Sequence, residues 1–319
     1  MIKQVIVDTT GGKVVGPVIP VEVMTASQAA GMPVEGKLLR VVQVTDADIA
    51  AGRAKVVGGR PIPVVVGTAG LDSVGGPIQQ VYVVSGSLDP SMIYTNKVLA
   101  LNPIAYWPMA ESSGTVMLDA SGNGRNGTYT AVTLAQTGIG DGRTSASFDG
   151  STSLGNAFTA GLQGAFNPAE GTSAIWCKVS AAGVWTDGVQ RFASLFGVNL
   201  SSNYAGIYKR TVSNSFENDY FAGGVAKAVA FTQSPTAWFH IAMTWSVAAD
   251  QVKFYTNGVQ QGATLTGLGT WSGALASTRC VIGAGSTAPA TVWSGTLAHA
   301  VVFASALSPT NIAALASLT

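Results

Sequence analysis

The sequence predicts an all-β protein in two parts: a large C-terminal β-sandwich behind a smaller, Val/Pro/Gly-rich β region. Three observations carry this. Charged residues are only 10% of the 319, against about a quarter in an ordinary globular chain. Glycine supplies 39 residues, and valine, threonine and serine are abundant, as in strands joined by tight turns. From Leu101 onwards, apolar runs alternate with Gly/Ser/Asn turns about every ten residues, the spacing of a sandwich.

Composition also excludes function classes. The chain holds 17 Lys+Arg against 16 Asp+Glu, a net charge of +1. Such a balance leaves no basic surplus to neutralise a nucleic-acid backbone. Mean hydropathy is positive at +0.33, yet no apolar run reaches the roughly 18 residues of a membrane span. Met1-Ile2-Lys3-Gln4-Val5 meets polar Asp8-Thr9-Thr10 before an apolar stretch of signal length develops, so no cleaved secretory signal is expected. Cys177 and Cys280 lie far apart and lack metal-site spacing, which reads as two buried thiols on strands; a disulfide would need neighbouring strands and an oxidising compartment.

Aromatic residues divide the chain. Residues 1–90 hold a single one, Tyr82, and every tryptophan lies at or after Trp107. Valine fills the first region instead, giving strands little bulk for a wide core. Gly16-Pro17-Val18-Ile19-Pro20-Val21-Glu22-Val23 repeats as Gly59-Arg60-Pro61-Ile62-Pro63-Val64-Val65-Val66, and more loosely as Gly76-Pro77-Ile78-Gln79-Gln80-Val81-Tyr82-Val83. Proline removes a ladder donor, so these strands belong at edges or start just after the proline. Extended segments of this kind suit lying along another protein. Val44 to Arg53 reads as a short helix capped by Thr45, and Thr25 to Gly31 as a weaker helical turn. Ser85 to Lys97, with Asp89-Pro90, opens a linker. The expected organisation is therefore 1–90 as an extended β anchoring and oligomerisation region, 91–100 as linker, and 101–319 as sandwich.

In the second part, strands are expected at Thr172–Ser180, Phe192–Val198, Trp238–Ser246, Gln251–Thr256, Thr278–Ala284 and Gly295–Phe303. Along Trp238 to Trp245, the face with Phe239, Ile241, Met243 and Trp245 is the core face. His240 falls on the other face and reads as a structural or surface histidine.

Here an ordered set of motifs carries a resemblance. Ala105-Tyr106-Trp107-Pro108-Met109-Ala110-Glu111-Ser112-Ser113-Gly114 is followed by Leu118-Asp119-Ala120-Ser121-Gly122-Asn123-Gly124. Ser145 to Gly150, Ser173-Ala174-Ile175-Trp176-Cys177-Lys178, Trp238 to Trp245, Phe254-Tyr255-Thr256-Asn257-Gly258, Val281 to Ala284 and Trp293 to Phe303 come in order behind them. The chain ends in Ala306-Leu307-Ser308-Pro309-Thr310-Asn311-Ile312, where Ser308 caps a helix and Pro309 takes its first position. From about 105 to 319 this resembles a concanavalin A-like, laminin-G-type (LamG) domain, which implies a jelly-roll sandwich. In the closing strand, Ala298-His299 stand where acids are common in the family, which counts against a metal there.

The sequence offers little catalytic chemistry. A glycosidase needs two carboxylates on one cleft, and related glucanases carry an E-x-D-x-x-E strand. The nearest approach, Glu217-Asn218-Asp219, sits in a Ser/Asn-rich stretch that reads as a solvated loop. No Ser-His-Asp pattern, phosphate loop or zinc spacing is present, and the chain is expected not to be an enzyme. The resemblance implies calcium as one possible ligand, with Asp119 and Asn123 as oxygen donors; Asp119 also suits the turn itself. It equally implies carbohydrate binding, for which Trp185, Tyr204, Tyr208, Trp271 and Trp293 are the candidate aromatics.

The N-terminal repeats, with Ala51-Gly52-Arg53-Ala54-Lys55-Val56-Val57-Gly58-Gly59-Arg60-Pro61 between them, resemble segments of tailed-bacteriophage virion proteins. Joined to a lectin-like module, they point to a virion structural protein. A capsid decoration protein comes first, since no repetitive shaft is present; the alternatives are a tail-associated adhesin and a secreted or cell-surface carbohydrate-binding protein. The expected partners are the major capsid protein or other virion proteins, through residues 1–90, a second and third copy in a trimer, and cell-surface glycans. The expected location is the capsid surface, after assembly in a bacterial cytoplasm.

Overall fold

The computed structural model describes residues 90–318 throughout and, within the first 89, the backbone of five strands. Contacts divide the chain into two units, Met1–Asn96 and Lys97–Thr319.

In the first unit, β1 (Ile2–Asp8), β2 (Pro33–Val34), β3 (Lys37–Thr45), β4 (Pro63–Val64) and β5 (Gln80–Val83) form an antiparallel sheet in the order β2-β3-β1-β5-β4. Both edges are two-residue strands opening on a proline, as expected of a residue that cannot donate to a ladder. Thr45 closes β3 rather than capping a helix. The rest of that expected helix, the turn at 25–31 and the first repeat copy lie outside the described residues.

The stretch expected to be a linker is largely helical, as α1 (Pro90–Leu99). Pro90 takes the first helical position, and Tyr94 and Val98, four residues apart, are buried. The division between units falls inside this helix.

The second unit is a two-sheet sandwich. Its early strands are β6 (Ala105–Trp107), β7 (Val116–Met117), β8 (Gly127–Thr130), β9 (Thr133–Thr137), β10 (Thr144–Asp149) and β11 (Leu154–Asn156), followed by the short helix α2 (Ala160–Ala165). The central strands are β12 (Glu170–Val179), β13 (Arg191–Asn199), β14 (Asn203–Lys209), β15 (Ser215–Ala222) and β16 (Val225–Thr232). The chain closes with β17 (Phe239–Ser246), β18 (Gln251–Thr256), β19 (Val259–Leu265), β20 (Cys280–Ile282), β21 (Ser294–Phe303) and α3 (Pro309–Leu315). One sheet runs β16-β15-β14-β13-β20-β11-β8-β7. The other runs β19-β18-β17-β12-β21-β10-β9, with β6 also paired to β21.

The core lies between the sheets and is aromatic. Trp107, Trp185, Trp245 and Trp293 are fully buried, and each indole N–H donates to a backbone carbonyl: Arg125, Pro235, Asn167 and Lys178 respectively. That pairing removes the penalty of burying a polar edge and leaves the full apolar gain. Close packing dictates one glycine in particular. Gly283 has φ +76°, and a Cβ there would sit 2.2 Å from the Phe148 ring, so both the backbone and the neighbour demand glycine.

The core face of β17 is as expected. Its other face is also covered, and His240 is only 1% exposed. Part of the cover over this sheet comes from α3, whose Ala313 Cα would lie 2.9 Å from a Cβ at Gly258. The side chain of Ser308 caps α3 by accepting from the Asn311 N–H, with Pro309 just inside. Cys177 on β12 and Cys280 on β20 are buried and unpaired, and their strands belong to different sheets.

Candidate functional site

Strands β14 and β15 build a face that carries two tyrosines and two carboxylates. Side chains alternate across a strand. Ala205, Ile207, Phe216 and Tyr220 join the core, so Tyr204, Gly206, Tyr208, Glu217, Asp219 and Phe221 face outward. The register sets Tyr208 opposite Glu217, Gly206 opposite Asp219 and Tyr204 opposite Phe221. Two carboxylates two residues apart thus share one face, each beside a tyrosine.

The hydroxyls and carboxylates are joined. Tyr208 Oη donates to Glu217 Oε1, and Tyr204 Oη reaches diagonally to donate to Asp219 Oδ2. Arg210 Nε lies 3.2 Å from Glu217 Oε2. Asp219 Oδ1 is buried and has no hydrogen-bond partner among the described residues. Phe192, Leu195 and Val281 back the tyrosines in an apolar cluster against which Phe221 packs. Phe192 stands 4.7 Å from Tyr208 and Phe221 5.6 Å from Tyr204, between ring centroids.

Asp219 is 5% exposed. Burial pushes its carboxyl up to about 6; the Tyr204 hydrogen bond opposes this, and the Glu217 charge adds to it. Burial first, then the facing acids, drives both tyrosine hydroxyls well above their ordinary range. They therefore stay protonated and act as donors. On the next strand, Ala226, Ala228 and Ala230 pair with Phe221, Asp219 and Glu217 and are exposed. The acid row thus lies low beside an open shelf of small side chains.

Of the five candidate aromatics, only Tyr204 and Tyr208 come together here. Trp185 and Trp293 are core residues, 1% and 0% exposed, packed with Phe216 in the aromatic layer between the sheets. Trp271 is half-buried, with ring centroids 5.6 Å from Phe166 and 6.1 Å from Tyr220.

The solvated-loop reading of Glu217 and Asp219 is corrected: they lie on a paired strand. The signal was present. Phe216, Asn218 and Tyr220 alternate with Glu217, Asp219 and Phe221, and Gly223-Gly224, both at positive φ, close a two-residue hairpin into β16.

The loop with Asp119 and Asn123 is held from within. Asp119 Oδ1 accepts from the N–H groups of Tyr106 and Ser121, and Oδ2 from that of Arg125. The Asn123 amide donates to the carbonyls of Pro103 and Ile104 and to Ser121 Oγ. Among the described residues, no three His, Cys, Asp or Glu side chains are grouped to hold a metal. His299 is buried with Nδ1 2.6 Å from Tyr106 Oη and Nε2 3.1 Å from Asp141 Oδ2. Burial lowers its pKa, against the pull of Asp141. Burial, aided by nearby His299, takes His240 down to about 3. Both imidazoles are buried, each 1% exposed.

The family model Laminin_G_3, of the concanavalin A-like lectin/glucanases superfamily, matches residues 149–313. The chain belongs to this family. Its laminin-G match starts downstream of Ala105, where the motif resemblance begins. No curated protein matches the chain. Similar solved structures include the botulinum neurotoxin serotype D binding domain, 15% identical with a TM-score of 0.46, covering 67% of this chain and 51% of that one. The chain therefore spans about half of that domain. Domain 4 of the arabinanase AbnA from Geobacillus stearothermophilus, solved with arabinotriose, is 17% identical, covers 68% and 98%, and has a TM-score of 0.48. The CBM40 of the Ruminococcus gnavus IT-sialidase, bound to sialyllactose, is 14% identical, covers 54% and 96%, and has a TM-score of 0.45. Among the described residues, no helix is long and apolar enough to cross a membrane.

Proposed function

We propose that the laminin-G sandwich is a non-catalytic glycan-binding module, and that its binding face is the outer side of β14–β16. One observation carries this: the paired tyrosine–carboxylate row beside the exposed alanine shelf. Carboxylates accept from vicinal hydroxyls, and an orphaned carboxylate oxygen gains most from a donor brought to it. The aromatic backing holds both tyrosines in place, so little entropy is lost on binding. Titration calorimetry of the full chain against a glycan panel tests the reading. A hit weakened by Tyr204→Phe and Asp219→Asn supports it. Hydrolysis of a bound glycan, abolished by Glu217→Gln, would make the protein an enzyme and overturn it.

The module is carried, in this proposal, on a phage particle, as a capsid decoration protein. The supporting observations are the virion-like repeats and the small Pro-edged sheet of the first unit. That sheet is placed against the major capsid protein, three copies together, with the sandwich projecting from a capsid assembled in the bacterial cytoplasm. Immunogold electron microscopy of the source lysate checks this. Gold over phage heads supports it; gold at tail tips assigns an adsorption role. Label on cell surfaces with bare particles favours the secreted lectin.

A further inference from the structure

We infer that the Glu217–Asp219 row selects glycans whose contacting sugar carries a free amine, over their N-acetylated and acidic counterparts. The inference rests on the glycan-binding reading and goes further, to the chemistry of the ligand. The charges on this face do not balance. Two carboxylates project from β15, and among the described residues Arg210 is the single cation paired to them, on Glu217 alone. The flanking positions carry no charge: Phe192 and Leu195 on β13, Ala226, Ala228 and Ala230 on β16. The neighbouring basic side chains are turned elsewhere. Lys209 Nζ bonds Asp187 and the Val189 carbonyl, and Arg191 bonds Asp187, Gly150 and Val292.

What remains is one carboxylate oxygen, Asp219 Oδ1, on a side chain more than nine-tenths buried and lacking a donor. A neutral hydroxyl satisfies it only as a hydrogen bond. An ammonium satisfies it and also cancels the surplus charge, and charge-assisted bonds are roughly twice as strong as neutral ones. A uronate or sialate carboxylate in the same place meets two like charges. A hard metal cation is a poorer occupant, because it needs about six or more oxygens and Arg210 already occupies one acid. Ala226, Ala228 and Ala230 are exposed beside the acids, so a ring laid along β16 meets methyl groups rather than long side chains.

The test compares glucosamine, N-acetylglucosamine and galacturonate trisaccharides on the full chain by titration calorimetry at pH 7. The glucosamine trimer is expected to bind about tenfold tighter than the acetylated one, and the acidic trimer weakest. Asp219→Asn is expected to weaken the glucosamine trimer far more than the acetylated one, cutting that preference to within about threefold. Glu217→Gln, which leaves Asp219 in place, is expected to weaken the preference less, and it supplies a second variant should the first fold poorly. Equal affinities, or a preference for the acetylated or acidic trimer, overturn the inference but leave glycan binding standing. A preference untouched by either variant also overturns it. Failure of every trisaccharide, and of the wider glycan panel, removes the binding reading itself.

Discussion

Asp219→Asn is expected to stabilise the fold above neutral pH and to do nothing at low pH. The magnitude follows from burial. In the unfolded chain the carboxyl ionises at its ordinary 3.8; in the folded protein it ionises at about 6. Below 3.8 both states hold the proton and nothing is lost. As pH rises through the interval the unfolded chain releases its proton first, so stability falls, and above 6 the deficit is complete. Each pH unit of difference is worth about 1.4 kcal/mol, which sets the deficit at about 3 kcal/mol. Asparagine keeps an oxygen to accept from Tyr204 and never ionises, so it recovers much of that amount, roughly 2 kcal/mol once the weaker neutral hydrogen bond is allowed for. Urea unfolding of both proteins at pH 4 and pH 8 measures it. The variant should match the parent at pH 4 and unfold at higher urea at pH 8. A variant destabilised equally at both values would show that the ionised carboxylate is well solvated or compensated, and would refute the reasoning.

Trp293→Ala should lose about 3–5 kcal/mol in the same assay, because it empties a fully buried site and leaves the Lys178 carbonyl without its donor; a loss under about 1 kcal/mol would place that ring outside the core. Burial raises the Cys280 thiol to about 12 and the Cys177 thiol well above its ordinary value, so a thiol reagent at pH 8 should label neither until denaturant is added. Prompt labelling of either would contradict the packing. Three backbone N–H groups already occupy the Asp119 carboxylate, so calcium and a chelator should leave the melting temperature unchanged. A calcium-dependent rise reversed by the chelator would return that loop to the metal sites.

The elements readable from the sequence were those whose determinants are local. Ser308-Pro309 announces α3 by itself, and Phe239, Ile241, Met243 and Trp245 mark a buried face by alternation. What packs on the turn at Gly258, beyond β17 and β18, is not local: it is α3, folding back from the end of the chain. The same limit governs the site. Period-two patterning shows that Glu217 and Asp219 share a face once Ser215–Ala222 is taken as a strand. It does not show that Tyr204 and Tyr208 stand on the neighbouring strand in register, which is a pairing set by the β13–β16 meander. Trp185 and Trp293 misled for the converse reason. Their neighbours are turn-like, but rings of that size anchor turns to the core from outside the strands. Asp89-Pro90 reads as a break, although proline at the first position is also how a helix begins, and Tyr94 and Val98 then supply its buried stripe.

The placement of β21 bears on how this protein is made. It is the last strand in the sequence, yet it lies inside its sheet, hydrogen-bonded to β12 on one side, β10 on the other, and β6 as well. Until β21 has been synthesised, no strand hydrogen-bonds the β17–β12 half of this sheet to the β10–β9 half. Each carries an open edge where β21 belongs. A nascent chain therefore carries unpaired, apolar strand edges from the completion of β10 until β21 emerges, the condition that favours misassembly with neighbouring copies on the same message. The closing strand acts as the keystone of the arch, and a chain that stops before it should accumulate as aggregate rather than as a smaller folded domain.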